Sequence, residues 1–101
     1  MTRPKKLDNL LEVIGSCVDA GDYLMTVHAQ QRGRERGISR PEIEYVLTHG
    51  WHEKRKDTFD QVHQAWNYAV RGTTIGDERE LRVVVSFDEE MLIITVIDLD
   101  Q

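Results

Sequence analysis

The hydrophobic period of the chain changes from helical to strand-like after Gly50, and this change constrains the fold most strongly. Before Gly50, apolar residues recur every three or four positions, as on one face of a helix. After it come four candidate strands, 51–56, 65–70, 81–87 and 91–99. The last two of them are rich in β-branched residues. The polar link 88–90 predicts that the last two strands form an antiparallel hairpin. The order of elements predicts an α+β fold, with N-terminal helices packed on a three- or four-stranded antiparallel sheet.

Apolar spacing and capping residues predict three helices, over 6–20, 27–36 and 40–49. Gly21 stands where the C-cap of the first helix belongs, and Thr26 is suited to be the N-cap of the second. The third helix is expected to begin at a capping box in residues 39–42, which also places a proline in the first turn.

The length of 101 residues fits a single domain spanning 1–101. No apolar run approaches the roughly 20 residues of a membrane span, so we expect a cytoplasmic protein without membrane contact. The net charge of −5 is unevenly distributed, because residues 28–56 hold seven basic and four acidic side chains whereas 57–101 hold three and ten. Such an acidic chain is a poor general binder of nucleic acid, but its basic middle segment can hold a phosphate.

His28, Arg32 and Arg36 lie four residues apart on the second predicted helix and therefore share one face. The small residues Ala29 and Gly33 on another face let this helix lie close to a sheet. The arrangement suits a phosphate site, since guanidinium groups bind oxyanions and an imidazole transfers protons near neutral pH. Spacing alone favours a structural role, with the arginines solvated or paired to glutamates and His28 bonded to a backbone carbonyl.

Three further histidines raise the question of a metal site. His49 and His52 are three residues apart and His63 follows, but no acidic or cysteine set at ligand spacing completes a tetrahedral shell. We therefore expect neither a metal site nor a cofactor.

The segment from Val27 to Gly50 resembles the opening of domain-of-unknown-function family 4258. The segment contains His-Ala, an arginine four residues after the histidine, the string Arg-Gly-Ile-Ser and a predicted helix that ends at a glycine. The last predicted strand also resembles the family, because it reads Ile-Thr-Val at 94–96. The resemblance covers about residues 24–99 and leaves 6–20 as an additional N-terminal helix. Two departures are a glycine at 33, where the family often has methionine, and a somewhat long 72–79 loop.

That family resembles, more distantly, the RelE-like fold of small bacterial ribonuclease toxins of the motility-quorum-sensing-regulator type. The resemblance implies a metal-independent endoribonuclease in which the RNA 2′-hydroxyl attacks the adjacent phosphate. It also implies RNA as substrate and an antitoxin-like protein partner. Because the implication rests on fold-level analogy, the alternative is a catalytically silent RelE-like module that binds protein or RNA.

The implied reaction needs a base, an acid and cations that hold the phosphate. His28 is the predicted base or acid, and Arg32 and Arg36 are predicted to bind the phosphate. Secondary assignments are Lys54 and Tyr68 for catalysis and, for substrate binding, Lys56, Arg71 and Thr95. Structural alternatives stand beside these assignments, since a strand tyrosine often packs in the core and threonine suits strands.

Overall fold

The computed structural model describes residues 3–100 and confirms a mixed α+β fold with N-terminal helices. The helices are α1 (Leu10–Ala20), α2 (Val27–Arg36) and α3 (Arg40–His49). The strands are β1 (Tyr23–Met25), β2 (Trp51–His52), β3 (Thr58–Asp60), β4 (Ala65–Thr73), β5 (Glu80–Asp88) and β6 (Glu90–Asp98). A short 3-10 turn, Lys54–Lys56, joins β2 to β3. The second and third helices have the predicted bounds, whereas α1 begins later than residue 6.

Side-chain caps explain why α2 and α3 begin where the sequence predicts. The hydroxyl of Thr26 accepts a hydrogen bond from the backbone N–H of Ala29 at 3.1 Å. At α3, Ser39 and Glu42 form a capping box in which each side chain accepts a hydrogen bond from the other residue's backbone N–H. These bonds satisfy donors that the first turn of a helix leaves unpaired.

Two glycines end these helices for different physical reasons. Gly37 follows α2 with φ of 64°, the left-handed conformation that glycine adopts most readily. Gly50 follows α3 in extended backbone, but a Cβ there would lie 2.4 Å from the carbonyl oxygen of Arg71. Gly50 is therefore required because β4 packs closely against the end of α3.

The sheet has the strand order β1-β6-β5-β4-β2, with β3 also paired to β4. The predicted antiparallel hairpin of β5 and β6 is confirmed and lies centrally. The expectation of three or four strands is wrong, because residues 3–100 form six, of which the three-residue strands β1 and β3 were not predicted. The strand predicted over 51–56 is only the two-residue β2, followed by the 3-10 turn. Such short strands carry too few residues to show a period. The sheet is also not wholly antiparallel, since β1 pairs parallel to β6.

The helices cover one face of the sheet and form the core with it. The largest fully buried side chains include Ile14 and Ile43 from the helices and Leu81, Val83 and Ile93 from the strands. The opposite face, which we call the second face, carries polar and apolar side chains from the alternate strand positions. One row across it consists of Arg71, Arg82 and Ile97, which the strand register places side by side.

Candidate functional site

The second helix lies alongside β6 because β1 is short. β1 pairs only with residues 91–93 of β6, and the chain then turns at Thr26 into α2. The backbone N–H of Thr26 donates to the carbonyl oxygen of Ile93, and its hydroxyl donates to that of Ile94, both at 3.0 Å. Beyond this attachment, residues 95–98 of β6 lie next to α2.

A groove of about 310 Å³ separates α2 from this part of β6, and we call it the α2–β6 groove. Its lining residues are His28, Arg32, Arg36 and Thr95–Asp98. The structure thus brings the predicted His-Arg-Arg face of α2 together with Thr95, which the sequence assigned separately. The small residues Ala29 and Gly33 are buried, which keeps the charged face of α2 beside the strand.

An irregularity in β6 gives Thr95 its place in the groove. Val84 pairs with Thr95 but Val85 pairs with Ile93, so Ile94 is an extra residue in the ladder. Strict alternation from the buried Ile93 would turn Thr95 into the core. The bulge shifts the alternation by one, so Val96 is buried instead and Thr95 is half-buried in the groove lining.

The electrostatics of the groove favour an anion. The side chain of Arg32 is 46% exposed, and its ion pair with the exposed Glu35 is long, at 3.7 Å, so solvent screens it. Asp98 at the groove's end accepts a hydrogen bond from the backbone N–H of Asp100 at 3.0 Å and lies 3.7 Å from Nη1 of Arg79. Arg32 therefore presents an accessible guanidinium to the groove, while the Asp98 carboxylate is held by its own partners.

Arg79 holds the C-terminal end of α2 in position, and sequence reasoning missed it. Its guanidinium donates to the carbonyl oxygens of Arg36 at 2.7 Å and Gly37 at 2.8 Å. The same group pairs with Glu42 of α3 at 3.2 Å. These partners lie about forty residues earlier in the chain, so no local pattern in the sequence indicates the contact.

The other predicted site residues lie outside the groove. Tyr68 is buried among the core residues, and its hydroxyl accepts a hydrogen bond from the backbone N–H of Leu7 at 3.0 Å. Lys54 and Lys56 are exposed in the turn that contacts β4, at the sheet edge opposite α2. Arg71 lies on the second face and is paired with glutamates, Glu80 among them at 2.7 Å.

A buried glutamate on the second face, Glu53, organises two arginines. Its carboxylate accepts a hydrogen bond from Nε of Arg82 at 2.7 Å and from Nη1 of Arg71 at 3.1 Å. The bond from Arg82, aided by that from Arg71, outweighs burial and holds the pKa of Glu53 below its ordinary value. We call Glu53, Arg71 and Arg82 the Glu53 cluster. It was not foreseen, because its members come from three separate parts of the chain.

His49, His52 and His63 each contact a partner other than a metal. His49 stacks on Tyr45, and His52 and His63 are hydrogen-bonded to Asp57 and Asp60. Within residues 3–100, no group of three or more histidine, cysteine, aspartate or glutamate side chains is arranged to hold a metal ion. Within the same residues, no helix is long and apolar enough to cross a membrane.

The family model described as Domain of unknown function (DUF4258) matches residues 25–98. The chain belongs to this family. The DUF4258 segment contains all of α2 and β6, and therefore every residue that lines the α2–β6 groove, whereas α1 precedes it. No curated protein and no solved structure matches the chain.

Proposed function

We propose that this protein is a toxin-like, metal-independent endoribonuclease that binds and cleaves RNA in the α2–β6 groove. The observation that supports the proposal is the meeting of His28, Arg32, Arg36 and Thr95 in one cavity. An imidazole gains and loses a proton near neutral pH, and guanidinium groups match the geometry of phosphate oxygens. The groove thus combines a proton-transfer group with an anion site.

In the proposed reaction, the RNA 2′-hydroxyl attacks the adjacent phosphorus and the bond to the 5′-oxygen breaks. His28 accepts the proton of the 2′-hydroxyl, and water protonates the departing 5′-oxygen. The hydroxide so formed takes the proton back from His28, so the products are a 2′,3′-cyclic phosphate and a 5′-hydroxyl. Arg32 and Arg36 stabilise the negative charge that develops on the phosphorane oxygens. The hydroxyl of Thr95 donates a hydrogen bond to the bound phosphate.

We further propose a RelE-like fold, a cytoplasmic location and an antitoxin-like protein partner. The order of helices before a largely antiparallel sheet supports the RelE-like fold. The cytoplasmic location follows from the proposed substrate, because cleavage of cellular RNA would take place there. Leu24 and Val27 support a partner, since these residues are 54% and 76% exposed at the junction of β1 and α2, and Val27 directly precedes His28 of the groove. A protein that covers this apolar surface would also obstruct the groove.

The test is to incubate the wild type and a His28→Gln variant with a mixed-sequence RNA. Loss of the imidazole is expected to lower the cleavage rate by about 10²–10⁴-fold, the usual contribution of one proton-transfer group. The fold should survive, because His28 is exposed on α2. His49→Gln is the matched control, since His49 is also an exposed helical histidine but lies outside the groove. EDTA should have no effect, and a 2′-deoxy substrate should resist cleavage.

Undiminished cleavage by the His28→Gln variant would remove His28 from the mechanism. Cleavage of the 2′-deoxy substrate would contradict attack by the 2′-hydroxyl.

A second candidate function is RNA binding without turnover. The observation that favours it is the position of Tyr68, which was predicted to take part in catalysis but is buried away from the groove. RNA that binds the wild type but not the Arg32→Ala variant, with no cleavage products in either case, would establish this function instead.

A further inference from the structure

A second cavity, of about 470 Å³, adjoins the α2–β6 groove. Its lining includes Thr26 and Ile94. Thr26 is two residues before His28, and Ile94 directly precedes Thr95, so the lining of the second cavity continues along both elements from the lining of the groove. A ligand that occupies the groove can therefore extend into this cavity, which we call the Asp88 pocket.

The Asp88 pocket has a partly apolar lining with hydrogen-bonding groups at intervals. Leu92 and Ile94 supply apolar surface, and Asn67 and Ser86 supply an amide and a hydroxyl. Such a combination is typical of sites for flat organic ligands, and the volume falls within the usual range of about 300–1,000 Å³ for ligand pockets.

The charge of the Asp88 pocket is opposite to that of the α2–β6 groove. Asp60 and Asp88 line the pocket, and none of its described lining residues is lysine or arginine. Asp60 accepts hydrogen bonds from the ring of His63 at 2.8 Å and from two backbone N–H groups of its turn, which fixes its carboxylate in place. The ring of His63 lowers the pKa of Asp60 most strongly, so this carboxylate is ionised at neutral pH. The pocket therefore repels phosphate and attracts hydrogen-bond donors.

We propose that the Asp88 pocket binds a nucleobase that carries an exocyclic amino group, while the phosphate next to that base lies in the α2–β6 groove. The inference rests on the proposed function, because it takes RNA as the ligand of the groove. Asp88 accepts hydrogen bonds from the amino group, as carboxylates do from cytosine N4, and the apolar side chains contact the face of the base. Adenine, cytosine and guanine carry such an amino group, whereas uracil does not.

The test measures binding of 2′-O-methyl hexamers, which cannot be cleaved through the 2′-hydroxyl. Fluorescence anisotropy with labelled hexa-adenosine and hexa-uridine gives the dissociation constants. The wild type is expected to bind hexa-adenosine about tenfold more tightly than hexa-uridine, the discrimination typical of a good base contact. Asp88→Asn should reduce this preference to less than about threefold. The matched control is Glu89→Gln, which removes a charge from the same hairpin but from a residue outside the pocket lining, and should retain the preference.

Arg32→Ala separates the subsite from the proposed function, because it should weaken both hexamers equally. Equal affinity of the wild type for both hexamers, with both weakened by Arg32→Ala, would overturn the base subsite and leave RNA binding by the groove intact. A preference for hexa-adenosine that persists undiminished in Asp88→Asn would also overturn the subsite. Failure of the wild type to bind either hexamer would overturn the subsite and the proposed function together.

Discussion

The arginines of the Glu53 cluster, on the sheet, and Arg32, on α2, have different surroundings. Arg71 and Arg82 belong to the Glu53 cluster, where a carboxylate that is 1% exposed binds both guanidinium groups within 3.1 Å. Arg32, in the α2–β6 groove, has an exposed ion pair at 3.7 Å. The first arrangement leaves little capacity for an external anion, whereas the second leaves the guanidinium accessible to one.

The contrast shows that a basic residue gains its role from its partners. Arg71 was predicted from the sequence to bind substrate, yet in the fold its guanidinium lies between Glu53 and Glu80. Arg82 resembles it, because its side chain is bonded to the same buried carboxylate. We therefore expect the Glu53 cluster to contribute to stability and, on the proposed function, the α2–β6 groove to contribute to binding, so variants in the two regions should affect different properties.

The largest effect is expected for Glu53→Ala. Removal of this carboxylate leaves two guanidinium groups without their partner, and breaking a buried ion pair in this way costs about 3 kcal/mol. Urea-induced unfolding of the variant measures the loss. Glu12→Ala is the control, since Glu12 is exposed in the first turn of α1 and its removal should cost less than about 1 kcal/mol. A loss as small as that of the control would show that the cluster does not stabilise the fold.

A smaller effect is expected in acid. The pKa of Glu53 is lower in the folded protein than its ordinary value of 4.5, chiefly through the hydrogen bond from Arg82. Its contribution to stability is therefore fully present above pH 4.5 and is lost as the pH falls below that value, through the folded-state pKa. Unfolding measured between pH 7 and pH 3 should show the difference between wild type and Glu53→Gln shrinking in this range. A difference that stays constant across the range would contradict the assigned ion pairs.

Local signals in the sequence were sufficient for α2, α3 and the central hairpin. The caps at Thr26 and Ser39 and the glycines that follow α2 and α3 give bounds that match the structure. β1 could not be predicted in the same way, because its three residues are stabilised by pairing with a strand that follows more than sixty residues later. Short strands depend on long-range partners, which a local pattern does not contain.

The candidate site was predicted only in part, because some of its residues are placed by local geometry and others by long-range pairing. His28, Arg32 and Arg36 share a face because helix geometry alone places residues four apart together. The position of Thr95 depends on the bulge at Ile94, since regular alternation would have turned it into the core. Tyr68 and Arg71 could not be placed, because strand register and distant partners decide which way each side chain points and what it contacts.

The central claim is that the exposed cationic face of α2 binds RNA phosphate. The most direct test is the salt dependence of RNA affinity for the wild type, Arg32→Ala and Arg34→Ala. Arg34 is the matched control because it lies in the same helix but lines a different surface, near Gly37 and Ser39. We predict that Arg32→Ala weakens binding and reduces the slope of log K against log salt by about one, while Arg34→Ala changes the slope by much less. Equal slopes and affinities for wild type and Arg32→Ala would contradict the claim.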